Sequence, residues 1–465
     1  MSNKYSYLLK NVAVFGIGNI VSKIGSFLLL ALYTAHLSAS DFGNAELLVT
    51  TVSLLIPIFT LSISDAILRF LINAKNDSAI INNGFLVNGA ACILVVLSYP
   101  LFRLIGGPLS DYFPLLLLLF VADSLERLLF SIDKGHERVK LCSFNSLVSV
   151  CALAICSYFF LVKFPMGING YLYSLISAHL VCSSYLFIGG GIVEHIKSRK
   201  IDWPIMKQML AYSIPLVPSI IAWWINTASD RYLIVLYLGN DQNGLYSAAA
   251  KIPNIVAIIT TIFFQAWQIS GIKEYKSENY SHFYSVIYNL FSKILIIVSS
   301  LLILVTPYLG SFLFKGDFNE AWIYVPYLVI GACFSGFSGI LSPAYQAAGK
   351  TSTLMISTVI GAALNILINI IFLKSFGLQI ATISTAISFL VVWYIRLILV
   401  KKYVSLELEP QKMFISMILI CLEAIAVIHL RSFGIIPLLA ITLCVLTMNI
   451  KWLSPYFKKL IVRLY

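Results

Sequence analysis

The chain has 465 residues, of which 59% are hydrophobic and 11% are charged, and its formal net charge at pH 7 is +12. Soluble globular proteins contain about 45–50% apolar and about 25% charged residues, so this composition excludes a soluble domain. A membrane crossing needs about 20 apolar residues, and no stretch of ordinary composition is long enough to form a folded ectodomain. The chain is therefore predicted to be a polytopic membrane protein.

The apolar runs predict an all-α fold with about 14 transmembrane helices. In chain order the predicted helices span 11–36, 44–72, 82–105, 113–134, 140–163, 169–193, 207–238, 242–271, 282–308, 320–346, 351–374, 377–400, 412–429 and 434–450. The turns after helices 1 and 7 share a Leu and a Gly at an offset of 201 residues: Leu37 with Leu238, and Gly43 with Gly244. This repeat predicts two pseudo-symmetric six-helix bundles of parallel topology. The predicted domains are residues 1–200, 201–404 and two additional helices in 405–465.

Lys and Arg are distributed unevenly between the two sides of the predicted membrane. With the N-terminus inside, 20 of the 32 basic residues lie in cytoplasmic segments, five lie in outer segments and seven lie within helices. Because basic residues favour cytoplasmic loops, both termini are predicted to be cytoplasmic. The same bias accounts for the net positive charge, so nucleic acid is not expected as a partner.

Polar residues recur at helical spacing along predicted helix 8, where they are Ser247, Lys251, Asn254, Thr261, Gln265 and Gln268. The offset of 201 residues gives a second series on helix 2, which is Glu46, Thr50, Ser53, Thr60 and Ser64. A lipid-facing helix would carry such a stripe only at a high free energy, so both stripes are predicted to face a hydrated cavity. The alternative is that Ser and Thr hydroxyls bond one helix to another.

Three cations at membrane depth outnumber the one acid predicted at similar depth, Asp230: they are Lys23, Arg231 and Lys251. The other polar or aromatic residues on predicted helices 1 and 7 that face the same cavity are Asn19, Ser26, Trp223, Asn226 and Asp230. A cavity with excess positive charge attracts an anion, and a pyrophosphate head group is one such ligand.

Other embedded charges have local partners or a route to the surface. Two pairs of opposite charges stand four residues apart and are predicted to form ion pairs: Asp65 with Arg69, and Asp123 with Arg127. Two further cations, Lys293 and Arg396, are predicted to extend to the cytoplasmic face. His179 is a weaker candidate for a functional residue. It is either a proton relay or a histidine that is simply hydrogen-bonded between helices. Nucleotide-binding, metal-ligand and catalytic motifs are absent from the sequence, so no cofactor, metal or catalytic residue is predicted.

Three segments resemble Wzx-type oligosaccharide flippases: Ala66-Ile67-Leu68-Arg69-Phe70, the helix-7 string from Asn226 to Tyr232 (NTASDRY), and residues 238–249 (LGNDQNGLYSAA). These flippases form the polysaccharide-transporter branch of the superfamily that also contains MATE exporters and the lipid II flippase MurJ. The resemblance implies a V-shaped pair of six-helix bundles with alternating access. It also implies a central cavity lined by helices 1, 2, 7 and 8.

The resemblance further implies a protein without enzymatic activity that moves undecaprenyl-pyrophosphate-linked oligosaccharides, such as O-antigen units, to the outer leaflet of the bacterial inner membrane. Several members of the family resemble antiporters coupled to H⁺ or Na⁺, and the resemblance makes Asp230, Asp65 and Glu46 the candidate coupling acids here. The implied partners are the lipid-linked oligosaccharide, membrane lipids, and a polymerase and chain-length regulator of the same pathway.

Two other functions are compatible with the sequence. A MATE-like exporter of cationic drugs would need acids to dominate the cavity, whereas bases outnumber acids among the embedded residues named above. A membrane polysaccharide polymerase or ligase would need a sizeable outer loop with catalytic groups. The longest outer connection before the C-terminal helices runs only from residue 309 to residue 319.

Overall fold

The structure is a computed structural model in which every regular element is a helix, within the residues that it describes. Those residues are 25, 27–72, 77–193, 201–273, 275, 280–407, 409–429 and 434–464. The chain divides into two compact units, Met1–Ala228 and Ser229–Tyr465. The division falls inside a helix, α11, and the predicted domain ends at residues 200 and 404 stay predictions.

The first unit contains ten helices and the start of an eleventh, within its described residues. They are α1 (Phe27–His36), α2 (Ala39–Phe59), α3 (Ile63–Leu71), α4 (Asp77–Leu97), α5 (Tyr99–Ile105), α6 (Pro108–Asp111), α7 (Phe113–Gly135), α8 (Val139–Ser157), α9 (Gly167–Gly189), α10 (Trp203–Ser213) and α11 (Val217–Leu238). The chain continues beyond α8 as a π-helical turn, Tyr158–Lys163, and a short 3₁₀ turn, Ile214–Leu216, joins α10 to α11.

The second unit contains the end of α11 and nine further helices in its described residues. They are α12 (Asn240–Ala249), α13 (Asn254–Lys273), α14 (Tyr280–Leu313), α15 (Val325–Ile340), α16 (Ser342–Ala347), α17 (Thr351–Phe376), α18 (Gln379–Val400), α19 (Pro410–Ile428) and α20 (Ile435–Leu464). Two 3₁₀ turns, Gly316–Phe318 and Ala321–Tyr324, precede α15.

Eleven segments of the described chain are long and apolar enough to cross a membrane, and the bent pair of α12 and α13 makes a twelfth. The predicted all-α polytopic membrane fold is therefore confirmed. Of the other two predicted crossings, 11–36 lies mostly outside the described residues. The segment predicted at 113–134 forms α7, which is 23 residues long but carries Asp123, Glu126 and Arg127 near its centre.

The predicted helix at 44–72 is broken into α2 and α3, so the prediction of one continuous helix was wrong. The Thr60 N–H and hydroxyl both bond to the carbonyl of Ile56 and close α2. Leu61 and Ser62 then adopt left-handed φ angles of 51° and 53°, and α3 begins at Ile63. A left-handed conformation costs an L-residue other than Gly about 1–2 kcal/mol, so two in succession mark a strained position.

The predicted helix at 242–271 is also broken, because α12 and α13 meet at an angle of 47°. Proline at 253 has no N–H for the helical ladder, and the preceding residues tighten into 3₁₀-type bonds. The Lys251 N–H lies 3.1 Å from the Ala248 carbonyl, and the Ile252 N–H lies 3.2 Å from the Ala249 carbonyl.

Helices α2 and α12 preserve the repeat that the sequence predicts at their first residues. Ala39 and Asn240, which begin them, are 201 residues apart, and so are the N-cap residues Ser38 and Gly239. The Ser38 hydroxyl accepts a bond from the Asp41 N–H, whereas Gly239 caps α12 with a φ of 91° that favours glycine.

Arg396 is buried instead of extending to the cytoplasmic face, so this prediction was wrong. Its side chain in α18 is bound by Ser357 Oγ and Thr358 Oγ1, both at 2.9 Å, and by the carbonyls of Leu354 at 3.1 Å and Ser338 at 3.3 Å. These partners come from α17 and α15. The guanidinium therefore holds three helices of the second unit together, because a buried charge needs donors or acceptors around it.

Lys293 is also buried, contrary to the prediction that it extends to the surface. From α14 its Nζ bonds to Glu409 Oε2 at 2.6 Å and to the Trp452 carbonyl at 3.2 Å. Lys412 bonds to the other oxygen of Glu409. We call Lys293, Glu409 and Lys412 the C-terminal latch, because it fastens α14 to the start of α19.

The latch predicts a pH-dependent loss of stability. Burial alone would raise the pKa of Glu409. The bonds from Lys293 and Lys412 lower it by more, so the pKa lies below its ordinary value of 4.5. The stabilisation by the carboxylate is thus complete above pH 4.5 and is lost as the pH falls through the lower pKa of the folded protein. We expect Glu409→Gln to reduce the free energy of unfolding at neutral pH by about 1–3 kcal/mol and to weaken this acid dependence.

Thermal unfolding of the detergent-solubilised protein, followed by intrinsic fluorescence at neutral and acidic pH, measures both effects. Glu407→Gln is the matched control, because the Glu407 side chain is 72% exposed and its ion pair among the described residues is with the partly exposed His282. If Glu409→Gln unfolds at the wild-type temperature at neutral pH, the latch does not contribute to stability.

Candidate functional site

Asp230 is the centre of a buried polar network in the second unit. The residue is 3% exposed, and its carboxylate accepts three hydrogen bonds. Tyr246 Oη donates to Oδ2 at 2.7 Å, Thr385 Oγ1 donates to Oδ2 at 2.9 Å, and Asn369 Nδ2 donates to Oδ1 at 2.8 Å. The donors come from α12, α18 and α17, so four helices converge on this one carboxylate.

The network continues along α17 and α18. Asn369 Nδ2 also lies 3.3 Å from Asn365 Oδ1, and Asn365 Nδ2 lies 3.4 Å from Ser384 Oγ and 3.5 Å from Thr385 Oγ1. Asn365 and Asn369 are one helical turn apart and therefore share a face of α17. The result is an oxygen-rich cluster around a carboxylate whose three donors are all uncharged, which is chemistry suited to binding a proton or a hard cation.

The Asp230 network is the main feature that the sequence analysis missed. Asp230 itself was predicted as a coupling acid, but its partners Tyr246, Asn365, Asn369 and Thr385 were not. The available signal was the pair of amides four residues apart within the otherwise apolar α17. Spacing alone cannot show that α17 and α18 present these groups to α11.

Two of the three predicted cavity cations lie in the described part of the second unit. Arg231 follows Asp230 and points its Nε at Ser247 Oγ, 3.2 Å away in α12. Lys251 lies in the turn between α12 and α13. Both side chains are partly exposed, whereas Ser247 is fully buried. The third cation, Lys23, lies outside the described residues, as do Asn19 and Ser26.

The predicted continuous stripe on helix 8 was wrong, because the bend at Pro253 separates its members. Ser247 belongs to α12 and is buried, while Asn254 and Thr261 lie seven residues apart on α13 and are exposed. Thr261 Oγ1 donates to the Ala257 carbonyl at 2.7 Å. The predicted cavity residues Asn226 and Gln265 lie in α11 and α13, and their side chains fall outside the described part of the chain.

The helix-2 series divides between two environments in the first unit. Glu46 is 3% exposed and accepts a bond from Tyr171 Oη at 2.9 Å, next to the ring of Tyr33. Further along, Ser53, Thr60 and Ser64 line a partly open cavity. Glu46 therefore agrees with the alternative interpretation, in which polar side chains bond one helix to another. The later residues of the series line a cavity, as predicted.

Two adjacent tryptophans on α11 play different roles in the first unit. Trp223, predicted to contact sugar, is 65% exposed. Trp224 turns inward, and its Nε1 donates to Ser53 Oγ at 3.0 Å and to the Thr50 carbonyl at 3.2 Å. The inward indole fastens α11 to α2 and leaves the outward one available to a ligand.

The two predicted ion pairs have opposite outcomes. Arg127 binds Asp123 through Nε at 2.7 Å and Nη2 at 3.1 Å, so this pair is confirmed. Asp65 and Arg69 do not pair in the described structure, and that prediction was wrong. The Arg69 guanidinium lies 4.8 Å from the centre of the Tyr212 ring, where a cation–π contact replaces the ion pair. Asp65 lines the partly open cavity of the first unit instead.

The second unit also has an apolar groove of about 710 Å³. Its walls are side chains of α18, including Trp393 and Tyr394, and side chains of α19, including Phe414 and Met417. Sequence analysis did not predict this groove, since it depends on how α19 packs beside α18.

Comparison with known proteins identifies relatives by sequence and by fold. A family model described as "Polysaccharide biosynthesis protein" matches residues 8–268. The "Probable low-salt glycan biosynthesis flippase Agl15" of Haloferax volcanii is 24% identical over 334 residues, which cover 68% of this chain and 67% of that protein.

Several solved structures share the fold. The lipid II flippase MurJ in an inward closed conformation matches with a TM-score of 0.68 and 17% identity, covering 97% of this chain and 100% of that one. An inward-facing multidrug resistance MATE transporter of the MOP superfamily matches with a TM-score of 0.66 and 14% identity, covering 84% of this chain and 98% of that one.

These matches agree with the resemblance that the sequence motifs suggest. The structural likeness establishes the fold of the MOP superfamily, and the family model covers more than half of the residues. The chain therefore belongs to the polysaccharide biosynthesis protein family.

Proposed function

We propose that this protein flips an undecaprenyl-pyrophosphate-linked oligosaccharide, such as an O-antigen unit, from the cytoplasmic to the outer leaflet of the bacterial inner membrane. The family match over residues 8–268 carries this proposal. The likeness to a glycan flippase over two thirds of its length supports it further. The relatives named above are flippases and transporters, in agreement with the prediction that this chain is not an enzyme.

The anionic head group is assigned to Arg231 and Lys251, together with Lys23 from the sequence. A pyrophosphate is bound best by guanidinium and ammonium groups that make charge-assisted hydrogen bonds. Arg231 and Lys251 are partly exposed, and Asp230 is already bonded by three uncharged donors. Arg231 also interacts electrostatically with Asp230, so two cations stand beside one acid, and this excess of positive charge supports a site that accepts an anion.

The sugar and the lipid chain need different surfaces. Exposed Trp223 offers an aromatic face, and Asn254 and Thr261 offer polar groups on α13. The apolar groove between α18 and α19 supports binding of the polyprenyl chain, because its walls are almost entirely hydrocarbon and aromatic side chains.

Ion coupling is assigned to Asp230. A carboxylate held in oxygen-rich surroundings by four helices can bind H⁺ or Na⁺, and occupancy would change the packing of those helices. Two other predicted acids, Asp65 and Glu46, belong to the first unit and have different surroundings. Coupling at any of the three is a proposal, as is an orientation with both termini in the cytoplasm.

The first test neutralises the cations. We expect Arg231→Gln and Lys251→Gln each to reduce glycan export about tenfold or more, because each removes a charge-assisted bond worth about 1.5–3 kcal/mol. The measurement is surface polysaccharide and cytoplasmic lipid-linked oligosaccharide in cells whose own copy of the gene is deleted.

Lys315→Gln is the matched control, since Lys315 is exposed and bonds to the Ser311 carbonyl. Immunoblots of the membrane fraction must show equal protein levels. Wild-type export by both cation variants would remove Arg231 and Lys251 from the substrate site.

The second test concerns coupling. Asp230→Asn removes the charge but keeps the size of the side chain, so we expect translocation in inverted membrane vesicles to lose its response to an imposed H⁺ or Na⁺ gradient. Asp241→Asn is the control, because Asp241 is exposed in the first turn of α12. An undiminished gradient response in Asp230→Asn would place the coupling ion elsewhere.

A further inference from the structure

The first unit has a partly open cavity of about 360 Å³ that is lined by α2, α3, α7, α9 and α11. The side chains with ionisable groups that line it are Asp65, Asp123, Glu126, Arg127 and His179. None of the described residues that are assigned to the substrate lines this cavity. His179 stands ten residues before the end of α9 at Gly189, about 15 Å along the helix, so the cavity reaches the middle of a membrane-spanning helix.

Glu126 and His179 form a close pair within this cavity. Glu126 Oε2 lies 2.7 Å from His179 Nδ1, and Asn145 Nδ2 from α8 donates to Glu126 Oε1 at 2.8 Å. When Glu126 is ionised its oxygens only accept hydrogen bonds, and Nδ1 of the imidazole then carries the shared proton. Nε2 is then the atom at which the imidazole gains or loses a proton.

The other charges facing His179 favour binding of a positive charge. From α7, Asp123 and Arg127 compensate each other in their two-bond ion pair. Across the cavity, α3 contributes the carboxylate of Asp65, whose residue is exposed. The neighbouring α8 contributes the uncharged Asn145, and α2 lines the cavity with the uncharged Ser53 and Thr60. Glu126 is therefore the negative charge in direct contact with the imidazole, whereas Asp65 also interacts electrostatically with Lys134 and Arg127 of α7.

Ser62 is a further residue of the cavity wall. Its residue is 5% exposed, and its buried hydroxyl has no hydrogen-bond partner among the described residues. A buried hydroxyl without a partner costs about 1–3 kcal/mol, and the left-handed backbone at Leu61 and Ser62 adds strain at the same position.

We propose that the Glu126–His179 pair is a proton-binding site of the first unit and that water in the cavity carries the proton to and from it. His179 Nε2 takes a proton from this water in one state and returns it to water in the other, so no covalent step is involved. A metal cation is less well suited, because no group of three or more His, Cys, Asp and Glu side chains able to hold one occurs in the described part of the chain. As a coupling site, the pair rests on the proposed transport function and is separate from Asp230.

Proton binding can be measured without any substrate. The full-length protein, labelled with ¹⁵N-histidine and reconstituted in lipid bilayers, is titrated by solid-state NMR from about pH 5 to pH 8, where imidazoles change charge. The chain has six histidines, and the signal lost in His179→Gln identifies His179. We expect its Nε2 to titrate reversibly, and Glu126→Gln to lower the fraction protonated at acidic pH because the carboxylate no longer faces it.

His282→Gln is the matched control, because His282 also pairs with a glutamate, Glu407, at 3.3 Å but lies in the second unit. It should leave the His179 titration unchanged. Glu126→Gln has nearly the shape of the wild type and provides a second test if His179→Gln folds poorly. A His179 signal that keeps one protonation state over the whole range would overturn the proposal.

Transport assays separate this inference from the proposed function. In inverted vesicles with an imposed pH gradient, we expect His179→Gln to lose the gradient dependence of glycan translocation while His282→Gln retains it. If the wild type moves no lipid-linked glycan but His179 titrates, the proposed substrate is wrong and the proton site stands. If His179→Gln keeps the full gradient dependence, the site is not a coupling site and the flippase function stands.

Discussion

The free energy of placing a charged side chain inside hydrocarbon constrains this molecule more than any other interaction. Such a side chain costs about 2.5–3.5 kcal/mol on the insertion scale, and it is retained only where other groups bind it. Arg396 is held by two hydroxyls and two carbonyls, Asp230 by three uncharged donors, and Glu126 by an amide and an imidazole. Each of these centres joins several helices, so charge in this chain organises packing as well as ligand binding.

Much of the fold could be predicted from hydropathy, but the partners of the charges could not. Asp123 and Arg127 pair as their spacing predicts, because both lie on one unbroken helix. Asp65 and Arg69 have the same spacing, yet the Tyr212 ring competes for the guanidinium from a distant part of the chain. A pattern on one helix contains no information about groups that tertiary packing brings from another.

The buried Lys293 illustrates the same limit. Its acidic partner, Glu409, follows 116 residues later in the chain. The local sequence therefore suggested only that the Lys293 ammonium group reaches water at the nearest membrane surface. Only part of the Asp230 network could be predicted from the sequence, for the same reason. The acid and the two amides of α17 stand out in apolar surroundings, but their meeting depends on the packing of α11, α17 and α18.

The equivalent helices α2 and α12 begin at matching positions of the repeat, but they break at different distances from their first residues. Helix α2 runs for 21 residues before its break, whereas α12 runs for ten before the turn at Pro253. Glu46 and Ser247 are equivalent by the offset of 201 residues, yet one binds a tyrosine and the other faces Arg231. Equivalent positions in the repeat therefore have different chemistry, which agrees with distinct tasks for the two units.

The C-terminal latch has a consequence for how a lipid chain would contribute to transport. Lys293 and Glu409 fix α19 to α14, and Ser416 and Asn449 fix α19 to α20, all within one compact unit. The walls of the apolar groove, α18 and α19, belong to that unit too. The groove then keeps its shape through any motion of the unit as a whole. A chain bound there would anchor the substrate with the same affinity in each state and would leave the choice between states to the polar groups.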